Sequence, residues 1–104
     1  MVINGKTYTD DLIIYPDGMI VGPWWRKRGH RLSIDDIREL LDSSPEVLIA
    51  GTGMSGGMKP SKDLERDLSK LAIRFIAAPN QKAIDLFNEL SVKSRVAACF
   101  HLTC

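Results

Sequence analysis

The chain has 104 residues, 44% of them hydrophobic and 26% charged, which suits one soluble globular domain with a modest core and excludes a disordered tail. Lys and Arg number 14 against 13 Asp and Glu, a formal net charge of +1, so there is no global attraction to nucleic acid or to a membrane surface and any such attraction has to be local. The opening MVINGKTYTDD holds neither an apolar signal core nor an Arg-rich amphipathic pattern, no apolar run approaches the length of a bilayer span, and Cys99 and Cys104 are too few for a disulfide framework; together these predict reduced thiols and a cytoplasmic location.

In chain order, residues 2–8 and 12–15 read as strands, and Pro16, Asp17 and Gly18 as a turn, because proline presets φ and glycine accepts a positive one. Residues 19–21 return as the second strand of a hairpin. Ser33 is the expected N-cap of a first helix, with Asp36 as its capping-box partner and Leu32 and Ile37 as a hydrophobic staple. Ile34, Ile37, Leu40 and Leu41 form its apolar face, and Ser43, Ser44 and Pro45 end it. Residues 47–50 are a continuous apolar run, as in a strand buried on both faces.

A glycine-rich loop follows. Ser61 then reads as the N-cap of a second helix, with Leu64, Leu68 and Leu71 as its buried stripe and Asp63, Glu65 and Asp67 near its positive end. Residues 73–77 are expected as another short buried strand. Pro79 and Asn80 open a third helix that turns Ala83, Ile84, Phe87 and Leu90 inward, and residues 95–102 form a final strand. The second half therefore alternates strand and helix, which argues an α/β layered domain, and the first half adds a β-meander.

Gly51, Gly53 and Gly56 match Gly-x-Gly-x-x-Gly, but the context of a dinucleotide fingerprint is missing. Met58, Lys59 and Pro60 separate the glycines from the helix, and the next strand ends FIAAPN with no carboxylate for ribose hydroxyls. A Walker loop fails as well, since Lys59 is followed by Pro60. Two readings stay open. The glycines permit a tight turn where a buried strand leaves the sheet. Alternatively, the backbone of Gly51, Thr52, Gly53, Ser55, Gly56 and Gly57, with Lys59 beside it, holds a small anion at the carboxyl edge of the sheet.

The one strong charge cluster is Trp25, Arg26, Lys27, Arg28, His30 and Arg31, preceded by Trp24. Cations beside aromatics suit an anionic partner, while the tryptophans are also expected to cap the core between hairpin and helix. Near-neutral total charge argues against dedicated nucleic-acid binding. Cys99, His101 and Cys104 lie close together, yet no Cys-x-x-Cys pair exists and His30 is the only other histidine, so neither a metal nor a cofactor is expected. Cys99 as a nucleophile would need His101 beside it as base. Asp10, Asp11 and Asp17, and Asp35 and Asp36, read as turn and capping residues.

Four stretches, PEVLIAGTG, a Trp-x-Arg-x-x-Gly-His pattern ending at His30, FNEL at residues 87–90 and the terminal SRVAACFHLTC, resemble in order and spacing the Mth938-domain family, a family of unknown function. The resemblance covers nearly the whole chain. It implies a compact three-layer α/β domain, with a central mixed sheet, helices and an additional β-layer, and it transfers no catalytic residue. Eukaryotic members include a respiratory complex I assembly factor and an adipogenesis-associated protein, roles that do not carry over to this chain. The leading expectation is a non-enzymatic binding or assembly module with a protein partner and no membrane contact; the competing one is an enzyme or sensor for a small anion at the loop of residues 51–57. A loop closed by Met54 and Met58 favours the first, and an open pocket with convergent amides the second.

Overall fold

Two five-residue apolar strands, Val47–Gly51 and Val96–Phe100, are buried along their whole length because each lies inside the sheet with both of its faces covered. The computed structural model describes residues 2–3, 5–25, 31–53 and 57–102. Its strands in chain order are β1 (Val2–Ile3), β2 (Lys6–Thr7), β3 (Leu12–Ile14), β4 (Ile20–Val21), β5 (Arg31–Leu32), β6 (Val47–Gly51), β7 (Lys59–Pro60), β8 (Arg74–Ala78) and β9 (Val96–Phe100). A 3-10 turn (Ile34–Ile37) runs into α1 (Arg38–Asp42); α2 is Leu64–Lys70 and α3 is Asn80–Leu90.

The central sheet has five strands in the order β4-β3-β9-β6-β8 and is mixed. β9 runs antiparallel to β3 and parallel to β6, and β8 is parallel to β6. Ile49 thus has Ala98 beside it on one side and Ile76 on the other. Because side chains alternate along a strand, the sheet sorts its residues between two cores. Ile13, Leu48, Ala50, Ala97 and Cys99 meet Leu32, Ile37, Leu40, Met58, Leu64 and Leu68 on the face covered by α1 and α2. Leu12, Ile14, Val47, Ile49, Val96, Ala98 and Phe100 meet Ile3, Ala83 and Ile84 on the face covered by β1 and α3.

Two short ribbons supply the remaining β structure. β1 and β2 pair antiparallel and place Ile3 against the α3 side, while β5 and β7 pair parallel and place Leu32 against the α1–α2 side. The α/β architecture with its mixed central sheet and three helices is the one expected, with the extra β structure divided between the two ribbons.

Local signals fold as their chemistry dictates. Gly18 takes φ +91, and its N–H donates to the Tyr15 carbonyl at 2.9 Å. The Asp36 carboxylate accepts the Ser33 N–H at 2.9 Å, the reciprocal half of a capping box, and it also accepts the Ser33 hydroxyl at 2.9 Å. Four details differ from the sequence reading. Residues 2–8 are two strands, with Gly5 at φ +81 between them. The turn after Ser61 delays α2, so Leu64 is its first residue and its N–H donates to the Ser61 carbonyl. Leu71 is exposed, because α2 ends at Lys70 and Ala72 swings the chain away at φ +60. The strand expected to be buried at 73–77 is instead the sheet's edge, β8, buried only at Ala78.

Candidate functional site

The carboxyl ends of β6, β8 and β9 lie together, and the chain leaves β6 and β8 toward opposite faces of the sheet, which is where α/β folds commonly open a ligand crevice. Here a side chain occupies that position. Asn80, the first residue of α3, is buried; its Oδ1 accepts the Gly53 N–H at 3.1 Å and its Nδ2 donates to the His101 carbonyl at 2.9 Å. The Asn80 N–H donates in turn to the Gly53 carbonyl at 3.1 Å. One carboxamide therefore ties the end of β6, the end of β9 and the start of α3.

The backbone of the glycine loop is used in the same way. Thr52 N–H donates to Ala78 at 2.9 Å, and Met58 N–H donates to Thr52 at 2.9 Å. Met58, which follows the loop, is a fully buried member of the α1–α2 core. The amides of Thr52, Gly53 and Met58 all have internal acceptors, so they do not converge on an open anion cradle. The two described motif glycines have different reasons to be glycine. Gly53 has φ +105, as a sharp turn requires. Gly51 is still in the strand, and a β-carbon there would meet Phe100 Cδ1 at 2.3 Å and Asn80 Oδ1 at 2.6 Å. The expected turn thus explains Gly53, while close approach to a ring and a carboxamide explains Gly51.

Beside Asn80 lies a buried hydrogen bond between a histidine ring and a carboxylate. His101 Nδ1 is 3.0 Å from Asp11 Oδ2, and Asp11 Oδ1 accepts the Leu102 N–H at 2.6 Å. The Asp11 carbonyl accepts the Trp24 N–H at 2.8 Å. Asp11 therefore joins the start of β3, the end of β9 and the segment entering the basic cluster. This corrects its reading as a turn residue only. A cleft of about 600 Å³ lies alongside, lined by Val2, Tyr8, Thr9, Asn80, Ile84 and Leu102.

The two candidate binding segments meet elsewhere. β5 and β7 are parallel in a register that sets Arg31 beside Lys59 and Leu32 beside Pro60. Leu32 turns into the core, and both cations are exposed. The Ser61 N–H adds a 2.7 Å bond to the Leu32 carbonyl. The neighbouring tryptophans divide: Trp24 is 8% exposed and its indole Nε1 donates to the Asp36 carbonyl at 3.0 Å, whereas Trp25 is 81% exposed. The core-capping expectation thus holds for Trp24 and not for Trp25. Gly57 is exposed. Arg26, Lys27, Arg28, His30, Met54, Ser55, Gly56 and Cys104 lie outside the described residues. Cys99 is buried in the α1–α2 core beside Ala50.

Over residues 1–101 the chain matches the family described as "Protein of unknown function (DUF498/DUF598)". It belongs to that family. Solved structures share the fold. The conserved hypothetical protein PH1505 from Pyrococcus horikoshii OT3 is 28% identical with a TM-score of 0.79, the match covering 98% of this chain and 90% of that one. A protein named MT938 is 29% identical with a TM-score of 0.77, covering 97% of this chain and 88% of that one, which accords with the Mth938 resemblance. XCC1710 from Xanthomonas campestris, at 23% identity and a TM-score of 0.76, covers 95% of this chain and 74% of that one and bears on the fold alone.

For this DUF498/DUF598 chain, sequence reasoning passed over Asn80 and Asp11 as site residues. Asn80 stood out only as a helix opener, although a carboxamide directly after Pro79, where a strand ends, is a signal for a side chain bridging two chain ends. Asp11 carried no local signal, since its partner His101 is 90 residues away. No helix among the described residues is long and apolar enough to cross a membrane.

Proposed function

We propose that the chain is a non-enzymatic cytoplasmic binding or assembly module that docks an acidic face of a protein partner at its basic corner. The register of β5 with β7 carries the reading: it holds Arg31 and Lys59, drawn from two separate segments, side by side and exposed. Leu32, next to Arg31 in β5, is buried, so the corner is anchored to the core. Trp25 adds an exposed aromatic close by in sequence, and exposed aromatics and arginines are common anchors at protein interfaces. The internal hydrogen bonding of the glycine loop supports a binding module over a small-anion enzyme or sensor.

The test compares proteins captured from the native host by wild type and by a Trp25→Ala, Arg31→Glu, Lys59→Glu variant of matched stability. A partner retained by wild type, lost by the variant and released by added salt is expected, since exposed charges are screened. Retention by the variant would count against the corner. Thermal unfolding with and without phosphate at matched ionic strength tests the competing class. A phosphate-specific rise in Tm that both Gly53→Ala and Lys59→Ala abolish would favour the small-anion reading.

A further inference from the structure

We infer that the outer edge of β8 is a self-pairing surface that joins two copies of this chain through antiparallel β8–β8 contact. The hydrogen-bonding direction of the strand carries the argument. Arg74 N–H donates inward to the Glu46 carbonyl at 3.0 Å, and the Ala78 carbonyl accepts inward from Thr52 N–H at 2.9 Å. Backbone groups alternate along a strand, so Arg74, Ile76 and Ala78 serve β6, while the N–H and C=O of Phe75 and Ala77 point away from it. Among the described residues no strand pairs with that side.

Those four outward groups are self-complementary. A two-fold axis through Ile76 sets Phe75 of each copy opposite Ala77 of the other, and a hydrogen-bonded antiparallel pair exchanges both of its N–H···O bonds. Two such pairs satisfy all four groups in each copy. Ile76 then faces Ile76 of the second copy on the α3 side, a β-branched contact of the kind that stabilises sheets. Ile76 and Phe75 are half-buried and Ala77 is exposed, so small and apolar side chains flank the edge.

The other edges are less suited. β4 is two residues long and Pro23 follows it closely; β5 and β7 present Arg31 and Lys59, which would oppose their like. β8 has five residues, no proline and one charge, Arg74, and the adjoining surface carries both signs in Lys62 before α2 and Glu65 and Arg66 within it. The usual protections of a lone edge, namely shortness, proline and repeated charge, are sparse here.

The test is sedimentation equilibrium of the wild-type chain across a wide concentration range, with amide hydrogen exchange over the same range. The mass is expected to rise from 11.6 kDa toward twice that value as exchange slows at Phe75 and Ala77. Ala77→Pro removes an N–H that points away from β6 and meets no paired strand among the described residues, a position where an edge strand tolerates proline. It is expected to keep the circular dichroism of wild type and to weaken dimerisation by about tenfold or more. A chain that stays at 11.6 kDa throughout overturns the proposal. So does a dimer in which Phe75 and Ala77 exchange as fast as in dilute solution, or a folded Ala77→Pro chain that dimerises like wild type. If that variant does not fold, the exchange measurement on wild type decides.

Discussion

Replacing Gly51 with alanine separates close packing from chain turning as the reason for a glycine there. The added β-carbon would lie 2.3 Å from Phe100 Cδ1, 2.8 Å from Phe100 Cε1 and 2.6 Å from Asn80 Oδ1. The ring belongs to the adjacent central strand and the carboxamide is bonded at both of its ends, so neither moves alone. Overpacking of this kind costs about 1–3 kcal/mol. Displacing Asn80 weakens two hydrogen bonds that contribute about 1 kcal/mol each. The less flexible unfolded chain returns about 0.4–1 kcal/mol. The net loss is about 3 kcal/mol, which in a domain of this size lowers Tm by roughly 12–20 °C. Gly53→Ala comes no nearer than 3.3 Å to a described neighbour, the His101 ring edge, and suffers chiefly from its φ of +105. Its expected cost is smaller, about 1–2 kcal/mol. Equilibrium urea unfolding of both variants, with Phe100→Leu alone and combined with Gly51→Ala, measures the coupling. The double variant should fall short of the sum by about 1 kcal/mol or more, because the smaller side chain gives the new methyl room. A Gly51→Ala loss under about 0.5 kcal/mol, or a fully additive cycle, would refute the close-approach account.

Asn80→Ala should destabilise by about 2–3 kcal/mol in the same assay, because the buried Gly53 N–H and His101 carbonyl both lose their partner; Asp11→Ala should cost about 3 kcal/mol for a like reason at His101 and Leu102. Trp24→Ala should cost about 3–5 kcal/mol and Trp25→Ala less than about 0.5, a contrast that thermal unfolding resolves. Burial, and then the neighbouring Glu39 carboxylate to which its hydroxyl donates at 3.4 Å, raise the Tyr15 phenol above its ordinary value of 10.0. The folded state therefore holds that proton more tightly than the unfolded chain, and its contribution is complete below pH 10 and lost as pH rises through the folded value. Tyr15→Phe should accordingly lose less stability than wild type in urea unfolding repeated above pH 10.

Local chemistry explains which parts were legible. The Pro16-Asp17-Gly18 turn, the Ser33–Asp36 capping box and the buried run at 47–50 each act over a few residues, and all three are in place. What escaped notice depends on neighbours distant in sequence. An apolar run such as 73–77 reads alike at a sheet's centre and at its edge, because strand order is not encoded in periodicity. The role of Asp11 depends on His101, that of Gly51 on Phe100, and the adjacency of Arg31 and Lys59 on a two-residue pairing across 27 intervening positions. The glycine loop drew attention by its pattern, and its surroundings decided how its amides are used.

The position of β9 in the sheet bears on how the nascent chain matures. This strand follows both of its neighbours in the chain, yet it stands between β3 and β6, with Ile13 paired to Cys99 and Ile49 to Ala98. Until residue 100 has left the ribosome, the hairpin half and the α/β half share no ladder. Each presents an apolar strand awaiting a neighbour. Folding thus completes by inserting a middle strand after translation of both flanks, a late, long-range closure that favours slow maturation and leaves the emerging polypeptide dependent on holding factors or on slow elongation to avoid pairing with other chains.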